Sequence, residues 1–132
     1  MSVAAQLVDP TSLVVFVEVA TVSEANRSRH EHWSRIAARA TAQKDTTTYV
    51  LRARAARCPW PTPLVVTLTR VGVRTLDDDN LRGALKAVRD AVARWVGVDD
   101  RHADLVRYDY AQEVAGKRRK GVRIEIAPRV SP

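Results

Sequence analysis

An α+β fold is the class this sequence predicts, and three observations predict it. Four segments, at 12–22, 64–73, 105–114 and 122–126, are rich in β-branched or aromatic residues. Two others carry apolar residues at helical spacing, from Glu31 to about Arg57 and from Asn80 to Val96. Strands and helices do not alternate regularly along the chain, so the expected architecture is a small, largely antiparallel or mixed sheet with helices packed on one face. With 132 residues, 45% of them hydrophobic, the chain can bury one modest core, and one domain over 1–132 is expected.

Ser12 to Val22 is Val-rich with Thr and Phe and reads as the first strand, buried on both faces for part of its length. After a polar stretch at 23–30, Trp33, Ile36, Ala37 and Ala40 fall at helical spacings, with Arg29, Arg35, Arg39 and Lys44 supplying charge. Thr46, Thr47 and Thr48 lose rotamer freedom in a helix, so a break is expected there, followed by a short helix from Tyr49 to Arg57. Pro59, Pro61 and Pro63 around Trp60 form a stiff connector into the strand Leu64 to Val73. Leu81, Leu85, Val88, Val92 and Trp95 then repeat at four and three residues, one apolar stripe on a long helix closed by Gly97. Val106, Tyr108, Tyr110 and Val114 share one face of a third strand, and Val122, Ile124 and Ile126 one face of a fourth. The linker 115–121 has a glycine near each end and reads as a hairpin loop with four cations at its tip.

The formal net charge is +7 with a pI near 10.3, a surface that attracts polyanions, among which nucleic acid is the commonest. A lone cysteine, Cys58, excludes an internal disulfide and a multi-cysteine zinc site and fits a reducing cytoplasm. The apolar run from Leu13 to Val22 is too short and interrupted to cross a bilayer, and 1–8 lacks the pattern of a signal peptide, so a soluble intracellular protein is expected. His30, His32 and His102 have no metal-ligand spacing among themselves, and Trp33 and Trp95 read as core or interface residues.

Against this basic background Asp77, Asp78 and Asp79 are adjacent, which is costly unless a cation or a helix N-terminus offsets their repulsion. Helix capping accounts for one or two of them. A second pair, Asp99 and Asp100, follows the same helix just after Gly97; by itself it reads as a polar turn. Two or three aspartates brought together would hold Mg²⁺, which takes a few carboxylate oxygens and leaves room for water and a phosphate oxygen.

The string Asp77-Asp78-Asp79-Asn80-Leu81, then Lys86 and Asp90 on a helix, then Gly97-Val98-Asp99-Asp100, resembles the signature of the RusA-type Holliday junction resolvases. The resemblance covers Leu64 to Ile126, with a looser match at Asn26, His32-Trp33 and Arg39. It implies a RusA-like α+β fold, Asp77, Asp79 and Asp100 as catalytic carboxylates on Mg²⁺, and a homodimer that resolves four-way DNA junctions in recombination and repair by paired symmetric nicks leaving 5′-phosphate ends. The family's catalytic lysine stands four residues after the second Asp, where this chain has Gly83; Lys86 is the nearest match. Arg74, Arg82, Lys117, Arg118, Arg119 and Lys120 are then the expected phosphate contacts, which position DNA without reading its sequence. Two rivals stand beside this reading: a nuclease of the same fold for other branched DNA, and a non-catalytic DNA-binding protein whose aspartates only cap a helix.

One dimension bears on the site. Seventeen helical residues from Asn80 to Val96 span about 25 Å, and the four steps from Val96 to Asp100 return at most about 15 Å. Either the helix starts after Gly83 and one chain completes the site, or two helices pack across a dimer axis and Asp100 of one subunit joins Asp77 and Asp79 of the other. The second arrangement is favoured.

Overall fold

The structure, a computed structural model, describes residues 11–21, 32–99, 101–116 and 119–129. Its elements follow in the order β1 (Leu13–Val17), α1 (Trp33–Arg54), β2 (Leu64–Gly72), α2 (Asp78–Ala84), α3 (Lys86–Val96), β3 (Val106–Val114) and β4 (Gly121–Pro128). The strands form one mixed sheet ordered β1-β4-β2-β3, so the class is α+β as expected.

Two features of the sheet correct the sequence reading. β3 and β4 are not a hairpin: β2 lies between them, antiparallel to β4 and parallel to β3. Ala115 and Gly121 therefore flank the end of β2, Gly121 pairing with Val71 and the Ala115 N–H donating to the Gly72 carbonyl at 2.8 Å. Burial explains the order. Val122, Ile124 and Ile126 are fully buried and need neighbours on both sides, whereas Arg107, Asp109 and Glu113 suit an edge strand. The second correction follows from the first, because β2, α2, α3 and β3 make one parallel strand–helix–strand crossover.

Register makes the alternation of side chains explicit. Leu13, Ile126, Val66 and Tyr108 form one row across the sheet; Val15, Ile124, Leu68 and Tyr110 form the next. These rows meet the predicted stripe, and Leu81, Leu85, Val88, Val92 and Trp95 all belong to the same buried cluster. Each fully buried side chain of this kind contributes about 1.5 to 3 kcal/mol of burial free energy.

The helices also depart from expectation. α1 runs unbroken through Thr46 to Thr48, because the buried Thr47 hydroxyl donates to the Gln43 carbonyl at 2.7 Å and so finds its partner one turn back. The His32 ring nitrogen caps its start by accepting from the Ser34 N–H. The predicted helix 80–96 begins two residues early and changes geometry at Leu85, where φ is −101° and ψ 2°. Hydrogen bonds from Leu85 N to Leu81 O and from Arg89 N to Leu85 O carry the ladder across that point. α1 and α3 run side by side in the same direction: Lys44 lies near Asp90, and the Trp95 indole N–H donates to the Ala55 carbonyl at 2.9 Å. No helix among the described residues is long and apolar enough to cross a membrane.

Candidate functional site

The crossover dictates where the acidic residues go. Parallel β2 and β3 start at the same edge of the sheet, so a connection that leaves the end of β2 must return along its whole length before β3 begins. Asp77 to Asp79 stand at the carboxyl ends of β2 and β3, while Asp99 follows α3 and lies toward their amino ends. Nine strand residues separate these edges by about 30 Å. The helical course begins at Asp78, not after Gly83, which overturns the first of the two dimensional solutions. Asp100, the other predicted ligand of that cluster, lies outside the described residues.

Asp77 is the helix cap. Its backbone is extended, with ψ 170°, and its Oδ1 accepts from the Asn80 N–H at 2.9 Å, which leaves Oδ2 for another partner. Asp78 and Asp79 fill the first turn of α2, exposed to solvent, where the positive end of the helix offsets part of their repulsion.

Two residues that the motif reading passed over hold this segment. Arg70 and Gln112 complete the row that holds Val17 and Val122, facing the helices. The Arg70 guanidinium is buried and donates to the Thr21 hydroxyl at 3.0 Å and to the Arg74 carbonyl at 2.7 Å; burial pushes its pKa below the ordinary value. Gln112 makes a two-sided clamp: its oxygen accepts from the Leu76 N–H and its amide donates to the Leu76 carbonyl, both at 2.7 Å. The chain is thus tied to the sheet at Arg74 and Leu76, immediately before Asp77. A charged residue at an inward position of a Val-rich strand was the available signal for Arg70, and inward alternation past Tyr110 the signal for Gln112.

The other predicted residues divide. Lys86 donates to Asp90 at 3.2 Å, one turn on, and Asp90 is also 3.8 Å from Lys44. Lys86 is thereby paired within α3. Together with Gly83, Gln43 and Ile36, these side chains line a cleft of about 350 Å³ between α1 and the α2–α3 junction. The Arg82 guanidinium lies 5.4 Å from the Tyr110 ring centre and lines a cavity with Asp78, Tyr108 and Asp109. Arg74 is exposed on the turn into α2. Of the crossover cations, Arg119 sits over the Phe16 ring at 5.4 Å and Lys120 is exposed, while Lys117 and Arg118 lie outside the described residues. Because Gly72 bonds Ala115 and Val71 pairs with Gly121, this crossover leaves the same sheet edge as the acidic turn.

What the structure brings together at one edge is therefore Asp77, Asp78, Asp79, Arg74 and Arg82, while Arg119 ends at the same edge over Phe16 of β1, on the face away from the helices. At the other edge, Asp99 and Asp90 line one groove, and the Asp99 carboxylate is held by Arg101 at 3.1 Å. Among the described residues no group of three or more His, Cys, Asp or Glu side chains is placed to hold a metal ion. The donors of the acidic turn still fit magnesium by their chemistry, since exposed carboxylates are hard oxygen ligands and Mg²⁺ needs only one or two of them beside its waters. Compared with protein-family models and with curated proteins, the chain matches none.

Proposed function

We propose that this protein is a magnesium-dependent, structure-specific endodeoxyribonuclease that resolves four-way DNA junctions by paired symmetric nicks, working as a homodimer in the manner of the RusA-type resolvases. The observation that carries the reading is the exposed Asp77–Asp79 turn, anchored through Leu76 at the carboxyl edge of β2 and β3 with Arg74 and Arg82 on the same segment, in a chain of net charge +7. Carboxylates alone would repel a phosphodiester; cations at the same edge draw it in.

In this reading Asp77 and Asp79 hold Mg²⁺, with Asp100 completing the set from the partner subunit. The ion, when bound, polarises a phosphate oxygen and activates a water for attack. The chain's own residues do the rest. Asp77 fixes the start of α2 while presenting its second oxygen, Gln112 and Arg70 keep the turn in place, and Arg74, Arg82 and the crossover cations neutralise phosphates. Lys86 is exposed and uses one of its three N–H donors on Asp90, which leaves the others for substrate. A four-way junction has approximate two-fold symmetry, which a C2 dimer matches with two equivalent sites. A cytoplasmic location belongs to the same proposal.

Synthetic four-way junctions incubated with and without Mg²⁺ test it, beside flaps, forks and linear duplex. Symmetric nicks on the junction alone, only with the metal, are expected. Cutting of flaps or forks in preference selects the same-fold nuclease for other branched DNA. A second reading is favoured by the Asp77–Asn80 cap: the aspartates serve the helix, and the protein binds DNA without cutting it. Junction binding with no cleavage in Mg²⁺ selects that one.

A further inference from the structure

The C-terminal ends of α1 and α3 converge away from the acidic turn, and three arginines meet there. Arg52 lies in the last turn of α1, Arg94 in the last turn of α3, and Arg57 on the segment after α1. With Thr48 and Trp95 they line one cavity of about 380 Å³. The walls are held together by the Trp95 indole bond to Ala55 and by the Cys58 N–H, which donates to the Trp95 carbonyl at 3.3 Å. None of the three guanidinium groups is paired with a carboxylate of the described residues.

A structural reason for cations here is the negative end of each helix dipole. Its magnitude is too small to account for them. Two helix ends supply roughly half a negative charge apiece, which leaves about two of the three positive charges uncompensated. Arg57 stands on no helix at all. Guanidinium forks converging on a concave surface match the oxygens of a tetrahedral oxyanion, and the Thr48 hydroxyl adds a neutral donor.

We propose that this cavity is a phosphate-binding site that takes a backbone phosphate of a nucleic-acid strand. The cavity opens at Arg94 and Gly97 toward a neighbouring groove whose Asp90 and Asp99 are paired with Lys44, Lys86 and Arg101. The nucleic-acid source of the phosphate rests on the function proposed above; the anion site does not.

The test compares the full-length wild type with a cavity variant, Arg52→Ala, Arg57→Ala and Arg94→Ala together, and a control that removes the same charge elsewhere, Arg35→Ala, Arg54→Ala and Arg107→Ala. Binding of a linear duplex is measured by fluorescence anisotropy in EDTA over a range of salt, so that cleavage plays no part. The cavity variant is expected to bind about tenfold more weakly, with the salt slope reduced by about 0.9 for the one phosphate lost, and the control to stay within about threefold of wild type. Equal losses in both variants, or none in either, overturn the site. Inorganic pyrophosphate should raise the melting temperature of the wild type and not that of the cavity variant. Selective stabilisation by pyrophosphate with unchanged duplex binding overturns the strand as the occupant. Where the alanine variant melts too early to assay, the triple Arg→Lys variant replaces it: it keeps the charge, loses the forks, and is expected to bind about threefold more weakly, whereas wild-type affinity overturns the proposal. Loss of duplex binding in a protein that never cuts a junction leaves the cavity site standing and removes the nuclease reading.

Discussion

Asp77 serves two masters in the proposed function, and the two are separable at the level of one atom. Its Oδ1 accepts from the Asn80 N–H, a bond that an asparagine oxygen can also accept, whereas a metal ion requires the charge. Asp77→Asn should keep stability within about 0.5 kcal/mol of wild type in urea denaturation, and Asp77→Ala should lose about 1 kcal/mol. Both should abolish magnesium-dependent cleavage; an Asn variant that still cuts at the wild-type rate makes Asp77 a cap alone. Cys58 tests burial in the same way. Desolvation raises its pKa, partly offset by a backbone hydrogen bond at Trp60. The raised value means that the folded state disfavours the thiolate. Its stabilising contribution is intact below the ordinary value of 9.0 and is lost as pH climbs through the higher folded value. Stability measured between neutral pH and pH 10 should therefore fall more steeply for wild type than for Cys58→Ala, and parallel curves would mean that the thiol is not desolvated.

At the scale of elements, the clamp from β3 to the turn before α2 is the contact on which the orientation of the acidic residues depends. Gln112→Leu removes both bonds to Leu76 while keeping an inward apolar stem, so it should cost about 2 kcal/mol for two partly buried hydrogen bonds. On the nuclease reading it should also slow cleavage while leaving junction affinity near wild type; cleavage at the wild-type rate in a measurably destabilised protein would mean that the clamp holds the fold and not the site. The clamp also shows what sequence can and cannot reveal. The stripe Leu81, Leu85, Val88, Val92 and Trp95 was legible because it depends only on local period, and so was capping by one of the aspartates. The neighbour of each strand was not. Joining Val106–Val114 to Gly121–Pro128 as a hairpin uses the shortest loop, yet β2 separates them because the three fully buried residues of β4 require two neighbours. That single choice hides the parallel crossover, and with it the pairing of residue 76 with residue 112. The break expected in α1 is absent for a local reason: Thr47 lowers helix propensity in isolation, and its bond to Gln43 in a buried position reverses the outcome.

For the whole molecule, topology turns the question of the metal site into one about subunits. The acidic turn stands at the carboxyl edge of β2 and Asp99 toward its amino edge, separated by the length of α2 and α3, about 27 Å for the nineteen residues from Asp78 to Val96. No rearrangement of a loop closes that distance while β2 and β3 remain parallel. We propose that Asp100 joins Asp77 and Asp79 from a second chain, which an antiparallel, two-fold arrangement of the crossover helices would supply. The experiment mixes two variants expected to be inactive, Asp79→Asn and Asp100→Asn, under conditions in which subunit exchange is followed by a fluorescent label. In a shared-site heterodimer one site carries both lesions and the other carries neither, so one intact site returns and junctions should be nicked in one strand. With about half of the dimers mixed at random exchange, the recovered rate should approach about one quarter of the wild-type sites, because each heterodimer has one active site of two. If every site is built within a single chain, each site in the mixture carries one lesion. A mixture that exchanges subunits and still fails to nick, with wild-type protein active in the same assay, would sink the shared site and restrict catalysis to the Asp77–Asp79 turn of each chain.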